Sequence, residues 1–143
     1  MGGTFFTASG HRVWQFGGAL LADFLGRDCG DVVVAHSHGG QVAAYGLASA
    51  RITARVRLVT IDTPIRDDML EVWLAARERI SYHLHLYTPW QQSAIRWLGQ
   101  RGAFREKFSW ADNRVLQGGH SGVINAPPVS GQWDDIVRLV KEH

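Results

Sequence analysis

Residues 32–44 read VVVAHSHGGQVAA, and this stretch decides how the rest of the chain is interpreted. An apolar, β-branched run leads into a small-x-Ser-x-Gly turn, which is followed by small residues at helical spacing. The order predicts a buried strand, a sharp turn at Ser37 and then a helix, which is the layout of a nucleophile elbow. Such a strained turn requires small neighbours, here Ala35 and Gly39. Ser37 is therefore the predicted nucleophile.

The composition of the chain is that of one globular domain. Its 143 residues are 45% hydrophobic and 20% charged, and a chain of this length buries roughly two-thirds of its unfolded surface. The net charge of +2 comes without a basic block, so nucleic acid is not an expected partner. The single cysteine, Cys29, cannot form an intrachain disulfide. Neither a signal peptide nor a membrane-spanning run is visible, so a cytoplasmic protein is expected.

Strand and helix patterns alternate along the sequence. Besides 31–37, strand patterns cover residues 56–62, 80–87 and 114–117, and helical patterns cover about 13–25, 39–50, 67–79 and 131–142. Two glycines, at 17 and 18, are expected to delay the first helix to about Ala19. The histidine–leucine alternation within 80–87 indicates one less buried face. The pattern predicts one α/β domain over 1–143, a mostly parallel sheet with helices on both faces.

A serine nucleophile needs a base, and the base benefits from a group that holds its tautomer. Ligands of parallel sheets bind beyond the carboxyl ends of the strands, so candidate residues must follow strands. His120 meets this condition, because it lies in a glycine-flanked loop after the last predicted strand. The other six histidines precede, flank or lie within the predicted strands, or end the chain.

The chain resembles the α/β-hydrolases of the small lipase and esterase kind. The matching residues are Ala35-His36-Ser37-His38-Gly39-Gly40, the strand end Thr60-Ile61-Asp62-Thr63-Pro64, and Gly119-His120-Ser121 before the closing helix. In that family the triad runs serine, acid, histidine along the chain. The resemblance implies a minimal α/β-hydrolase-like core that cleaves small acyl-ester or lipid substrates through an acyl-enzyme on Ser37. It implies His120 as the base and no cofactor.

The resemblance leaves the identity of the triad acid open. The commonest family position is the loop after strand 80–87, but residues 88–92 read TPWQQ and contain no carboxylate. Some lipases have their acid at the end of the preceding strand, and Asp62 occupies that position. Asp62 is the favoured acid, Asp112 is the next candidate, and a Ser37–His120 dyad is a third arrangement.

The resemblance also implies an oxyanion hole. One backbone N–H donor would belong to His38, directly after the nucleophile. The second would belong to Thr4 or Phe5, because Gly3-Thr4-Phe5 is similar to a Gly-Thr-aromatic variant found in some members. The family places a strand before that loop, and the first strands of the usual fold are not recognised here. The Ser37 strand is then expected at an exposed sheet edge, which favours a homodimer.

Three aromatic residues, Phe6, Trp14 and Trp90, are candidates for lining an apolar acyl site. No segment is long enough to form a cap domain, so the site is expected to be open to solvent.

Two other function classes remain open. His36-x-His38 and His83-x-His85 place imidazoles two residues apart, a spacing that can chelate zinc in a metallohydrolase. A metal loop does not explain the glycines after His38, however, and no metal ligands are assigned. The missing carboxylate after Tyr87 favours a non-catalytic, hydrolase-like scaffold that binds a partner.

Overall fold

The computed structural model describes residues 10–28, 32–52, 54–89, 104–117 and 132–143. The helices are α1 (His11–Asp28), α2 (Gly39–Ser49), α3 (Leu70–Arg77) and α4 (Gln132–Glu142). The strands are β1 (Val32–His36), β2 (Val56–Ile61), β3 (Ile65–Arg66), β4 (Ile80–Tyr87), β5 (Phe104–Arg105) and β6 (Asp112–Val115). A 3-10 turn at Asp67–Met69 precedes α3. Within the described ranges, no helix combines the length and apolar character needed to cross a membrane.

Four of the strands form a parallel sheet in the order β1-β2-β4-β6. The register aligns His36 with Ile61, Ile61 with Leu86, and Leu86 with Arg114, so the carboxyl ends of the strands meet at one edge. β3 and β5 form a separate antiparallel pair. The predicted α/β class is confirmed, and β1 is an edge strand of the described sheet.

The sheet is covered by helices on both faces, because its central strands are apolar on both sides. On one face Leu58 of β2 packs into a core with residues of α1, α2 and α3, among them Trp14, Leu47 and Trp73. On the other face Val59 packs with residues of α4. The predicted two-sided arrangement is therefore present.

Small residues let α1 and α2 pack closely. A Cβ on Gly18 would lie 2.6 Å from the Cβ of Tyr45, and a Cβ on Gly46 would lie 2.7 Å from the side chain of Leu21. α1 consequently runs through both of its central glycines, and the predicted start near Ala19 is wrong. The contact with α2 outweighs the low helix propensity of glycine.

β4 is buried on both faces from His83 to Leu86, so the predicted less buried face is wrong. His83 and His85 are only 4% and 1% exposed. The ring of Trp73 stacks on His83 with centroids 5.8 Å apart, and Phe108 lies 4.8 Å from the ring of His85. The histidine face of this strand is part of the protein interior.

Candidate functional site

Two non-glycine residues in the described ranges have a positive φ: Ser37 at 55° and Asp62 at 48°. This left-handed conformation costs a residue with a Cβ roughly 1–2 kcal/mol, and strain of this kind is concentrated at functional sites. Ser37 directly follows β1, and Asp62 directly follows the neighbouring strand β2. The two strained residues are thus the predicted nucleophile and the favoured acid, at the same edge of the sheet.

Backbone hydrogen bonds from the next strand hold both strained residues in place. The Ser37 N–H donates to the carbonyl of Ile61 at 2.8 Å, and the Asp62 N–H donates to the carbonyl of Leu86 at 2.7 Å. Each bond extends the sheet ladder by one residue beyond the strand. Because neighbouring strands lie about 4.8 Å apart, the ladder also fixes the spacing of the two residues.

The first turn of α2 is fastened to the loop that follows Asp62. Gln41 is fully buried, and its Nε2 donates to the carbonyl of Pro64 at 2.6 Å. A Cβ on Gly40 would overlap the side chain of Thr63. His38 has φ −65° and ψ −10° at the start of the helix, so its backbone N–H lies at the positive end of the helix dipole.

The carboxylate of Asp62 is directed toward the end of β4. The backbone N–H of Thr88 donates to Asp62 Oδ1 at 3.3 Å. Thr63, the residue after Asp62, and Thr88 each have a buried hydroxyl with no hydrogen-bond partner within the described ranges.

The residues of this edge are shielded from solvent. Ser37 is 5% exposed, and His38 and Asp62 are each 4% exposed. The expectation of a site open to solvent is wrong for these residues. Burial strengthens the electrostatic interactions of a charged or developing charged group, because the local dielectric is low.

A buried chain of hydrogen bonds lies on the face of the sheet that α2 and α3 cover. Trp110 Nε1 donates to His83 Nδ1 at 3.2 Å, so neutral His83 carries its proton on Nε2 and donates to Thr60 Oγ1 at 2.7 Å. The Thr60 hydroxyl then donates to His85 Nδ1 at 2.8 Å, and His85 Nε2 donates to the carbonyl of Glu106 at 2.9 Å. Every donor in this chain meets an acceptor.

The two histidines of this chain are neutral. Burial lowers the pKa of His85 to about 4, although the Glu106 carbonyl and the charge of Asp62 oppose the shift. Burial, assisted by His85, also lowers the pKa of His83 well below its usual value. Sequence reasoning missed this network. Its signal was the presence of Thr60 on the strand beside the two alternating histidines.

Asp112, the alternative acid, is not brought to Ser37. It begins β6, pairs in register with Leu84, and is three strands from β1, which corresponds to about 14 Å. Its carboxylate is held by Arg114 Nε at 2.8 Å and by the Tyr82 hydroxyl at 2.7 Å. The hydrogen bond from Arg114 lowers the pKa of Asp112.

Several predicted residues lie outside the described ranges: Thr4, Phe5, Phe6, Trp90 and His120. Trp14 is described and is only 2% exposed, with its ring 5.1 Å from that of His38. This burial favours a packing role for Trp14 over contact with a substrate.

The histidine pairs do not form a metal site in the described part of the chain, where no group of three or more His, Cys, Asp or Glu side chains is arranged around one point. All four ring nitrogens of His83 and His85 are engaged by protein groups.

Comparison with known proteins adds no relative, since no protein-family model, curated protein or solved structure matches this chain. The structure itself defines the class: an α/β protein with two strained, buried polar residues at the carboxyl edge of a parallel sheet.

Proposed function

We propose that this chain is a serine hydrolase of the α/β-hydrolase type, which cleaves carboxylic esters through an acyl-enzyme on Ser37. The observation that carries the proposal is the left-handed conformation of Ser37 between β1 and α2, beside the second strained residue Asp62. A nucleophile elbow needs this conformation, because it presents the hydroxyl beyond the edge of the sheet.

Asp62 is the proposed triad acid. In the family that the sequence resembles, the triad acid most often follows the strand equivalent to β4. This chain has Thr88 at that position. The backbone N–H of Thr88 holds Asp62 Oδ1, so the carboxylate is supplied to that position from the neighbouring strand. A carboxylate there would orient the base and stabilise its charged form.

His120 is the proposed base, and the described residues on either side of its segment support this role. Gln117, three residues earlier, follows β6, and its N–H donates to Gln132 Oε1 at 2.7 Å. Gln132 Nε2 donates to the carbonyl of Val115 at 2.9 Å. Gln117 and Gln132, the described residues that flank this segment, are therefore anchored at the carboxyl ends of the strands, where parallel-sheet proteins place their functional residues.

The proposed reaction follows the usual acyl-enzyme sequence. Ser37 Oγ attacks the ester carbonyl while His120 takes its proton, and His120 then protonates the leaving alcohol. Water hydrolyses the acyl-enzyme with the same base. The backbone N–H of His38, with a second donor at Thr4 or Phe5, would stabilise the oxyanion by roughly 3–4 kcal/mol per donor.

The burial of Ser37 favours one other function, a non-catalytic scaffold whose serine no substrate reaches. A fluorophosphonate probe distinguishes the two functions, because it reacts covalently only with an activated and accessible serine. We expect the folded protein to be labelled at Ser37 and to cleave p-nitrophenyl esters. Ser37→Ala should abolish both signals, while Ser49→Ala, which changes an exposed serine at the end of α2, should change neither. A folded protein that is not labelled contradicts the hydrolase and supports the scaffold.

A further inference from the structure

A pocket of about 490 Å³ lies at the amino ends of the sheet strands, whereas Ser37 lies at their carboxyl ends. It is lined by Arg55 directly before β2, by Ser81 and Tyr82 near the start of β4, and by Asp112 at the start of β6. Its volume is within the 300–1,000 Å³ typical of small-molecule sites. The pocket is separate from the proposed ester-cleaving site, so the two can be tested independently.

Two arginines give this pocket its charge. Arg55 and Arg77 are both exposed, and neither makes an ion pair with a carboxylate in the described parts of the chain. The Arg77 guanidinium lies over the ring of Trp110, 5.5 Å from the centroid. Stacking of this kind occupies one face of the guanidinium and leaves its N–H donors at the edge for a ligand.

The acidic residue in the lining does not cancel this charge. Asp112 is bound by Arg114 through Nε at 2.8 Å and through Nη2 at 3.2 Å, and by the Tyr82 hydroxyl at 2.7 Å. Because Arg114 compensates its charge, the charges of Arg55 and Arg77 remain in excess within the pocket.

Aromatic rings form the walls and hold a defined shape. Tyr82 stacks on His143 with centroids 4.0 Å apart and an interplanar angle of 8°. Trp110 is fixed by the hydrogen bond from its Nε1 to His83, which also lines the pocket. These rings provide an apolar surface beside the two cations.

We propose that this pocket binds a phosphate monoester of a small organic molecule. A phosphate monoester carries nearly two negative charges and three terminal oxygens near neutral pH, which suits two guanidinium forks. A monocarboxylate brings one charge and two oxygens. Inorganic phosphate leaves most of the volume and the aromatic walls without contact, so the ester should bind more tightly.

Isothermal titration calorimetry with phenyl phosphate tests the proposal. We expect saturable binding of one molecule per chain, at least tenfold tighter than binding of inorganic phosphate or benzoate. Arg55→Gln and Arg77→Gln should each weaken the binding at least tenfold. Arg12→Gln, which removes an exposed arginine of α1 outside the pocket, should change the affinity less than twofold.

Each other outcome overturns part of the proposal. Absence of saturable binding, or equal affinity in all three variants, rejects the pocket as the site. If benzoate binds as tightly as phenyl phosphate, the pocket is not specific for phosphate. If inorganic phosphate binds as tightly, the organic group of the ester contributes nothing to binding. Thermal unfolding of each variant shows that it is folded.

Discussion

The strain at Ser37 and Asp62 is maintained by the surrounding structure rather than by the two residues themselves. Each strained residue donates its N–H to the carbonyl of a residue on the next strand, Ile61 and Leu86 respectively. Neither hydrogen bond would survive a rotation of the residue into the ordinary helical or extended region without a local shift of the sheet. The sheet therefore offsets a local cost, as expected where backbone geometry serves a chemical role.

Asp62→Asn is the sharpest test of the proposed acid. Asparagine tolerates positive φ well, so the substitution should preserve the fold while it removes the charge that stabilises the imidazolium. We expect kcat for p-nitrophenyl ester cleavage to fall roughly 10³–10⁴-fold, with the urea midpoint of unfolding nearly unchanged. Steady-state kinetics and urea unfolding measure the two quantities.

Asp112→Asn is the matched control for this substitution. It removes the same charge at the start of β6, far from Ser37, so kcat should stay within a fewfold of the wild-type value. If Asp112→Asn loses activity while Asp62→Asn keeps it, the proposed triad is wrong.

At the scale of elements, the contact between α2 and the loop after β2 is tight enough to be tested with one methyl group. Gly40→Ala would place a Cβ on the Thr63 side chain, and overpacking of this kind costs about 1–3 kcal/mol. We expect the free energy of unfolding to fall by that amount and ester cleavage to decrease, because Asp62 directly precedes Thr63. Urea unfolding and steady-state kinetics measure both effects.

Gly26→Ala in α1 should change the free energy of unfolding in the opposite direction, toward higher stability. A Cβ at Gly26 has no heavy atom within 4 Å, and alanine stabilises a helix by about 0.5–1 kcal/mol relative to glycine. No loss of stability at Gly40 would contradict the packing described for α2, and a loss at Gly26 would contradict the open space around that residue.

The central elements could be predicted from the sequence because their signals are local. The apolar run of β1 and the small residues of α2 each define their own period, so the turn at Ser37 was placed correctly. β3 and β5 are two residues long and pair across distant parts of the chain, which no local period reveals. β6 begins at Asp112, two residues before its predicted start, because its register is set by β4.

The candidate site could be predicted only in part. The rule that functional residues follow parallel strands placed Ser37 and Asp62 at one edge. The roles of His83 and His85 were missed because their partners are Thr60, Trp110 and the carbonyl of Glu106, which are 21–27 residues away. Without those partners, an alternating histidine pattern looks like a solvated strand face.

At the scale of the whole molecule, β1 ends the described sheet and Val32 is 39% exposed. α1, which packs on α2, exposes Phe16, Leu20 and Phe24 at a spacing of four residues. An edge strand offers unpaired backbone groups to a second chain. Pairing of β1 with a second copy of the chain, which would form a homodimer, therefore stays a prediction.

The buried histidines make the stability of the whole fold depend on pH. The pKa of His85 is lowered to about 4, and that of His83 is also lowered, whereas an unfolded histidine titrates near 6.5. Below pH 6.5 the unfolded chain therefore binds protons that the folded chain excludes, so acidification favours unfolding. We expect the free energy of unfolding to be constant above about pH 7. It should fall between pH 6.5 and 4 by up to roughly 1.4 kcal/mol per pH unit for each histidine.

Urea unfolding between pH 8 and pH 4.5 measures this dependence. The carboxylates act in a different window. Arg66 lowers the pKa of Asp68 to about 2, and Arg114 lowers that of Asp112. The stability from these two carboxylates is present above about pH 4 and is lost only as the pH falls further. A loss that begins near pH 6.5 therefore belongs to the histidines, and a stability that stays flat down to pH 5 would show that the Thr60 network accepts a proton without breaking.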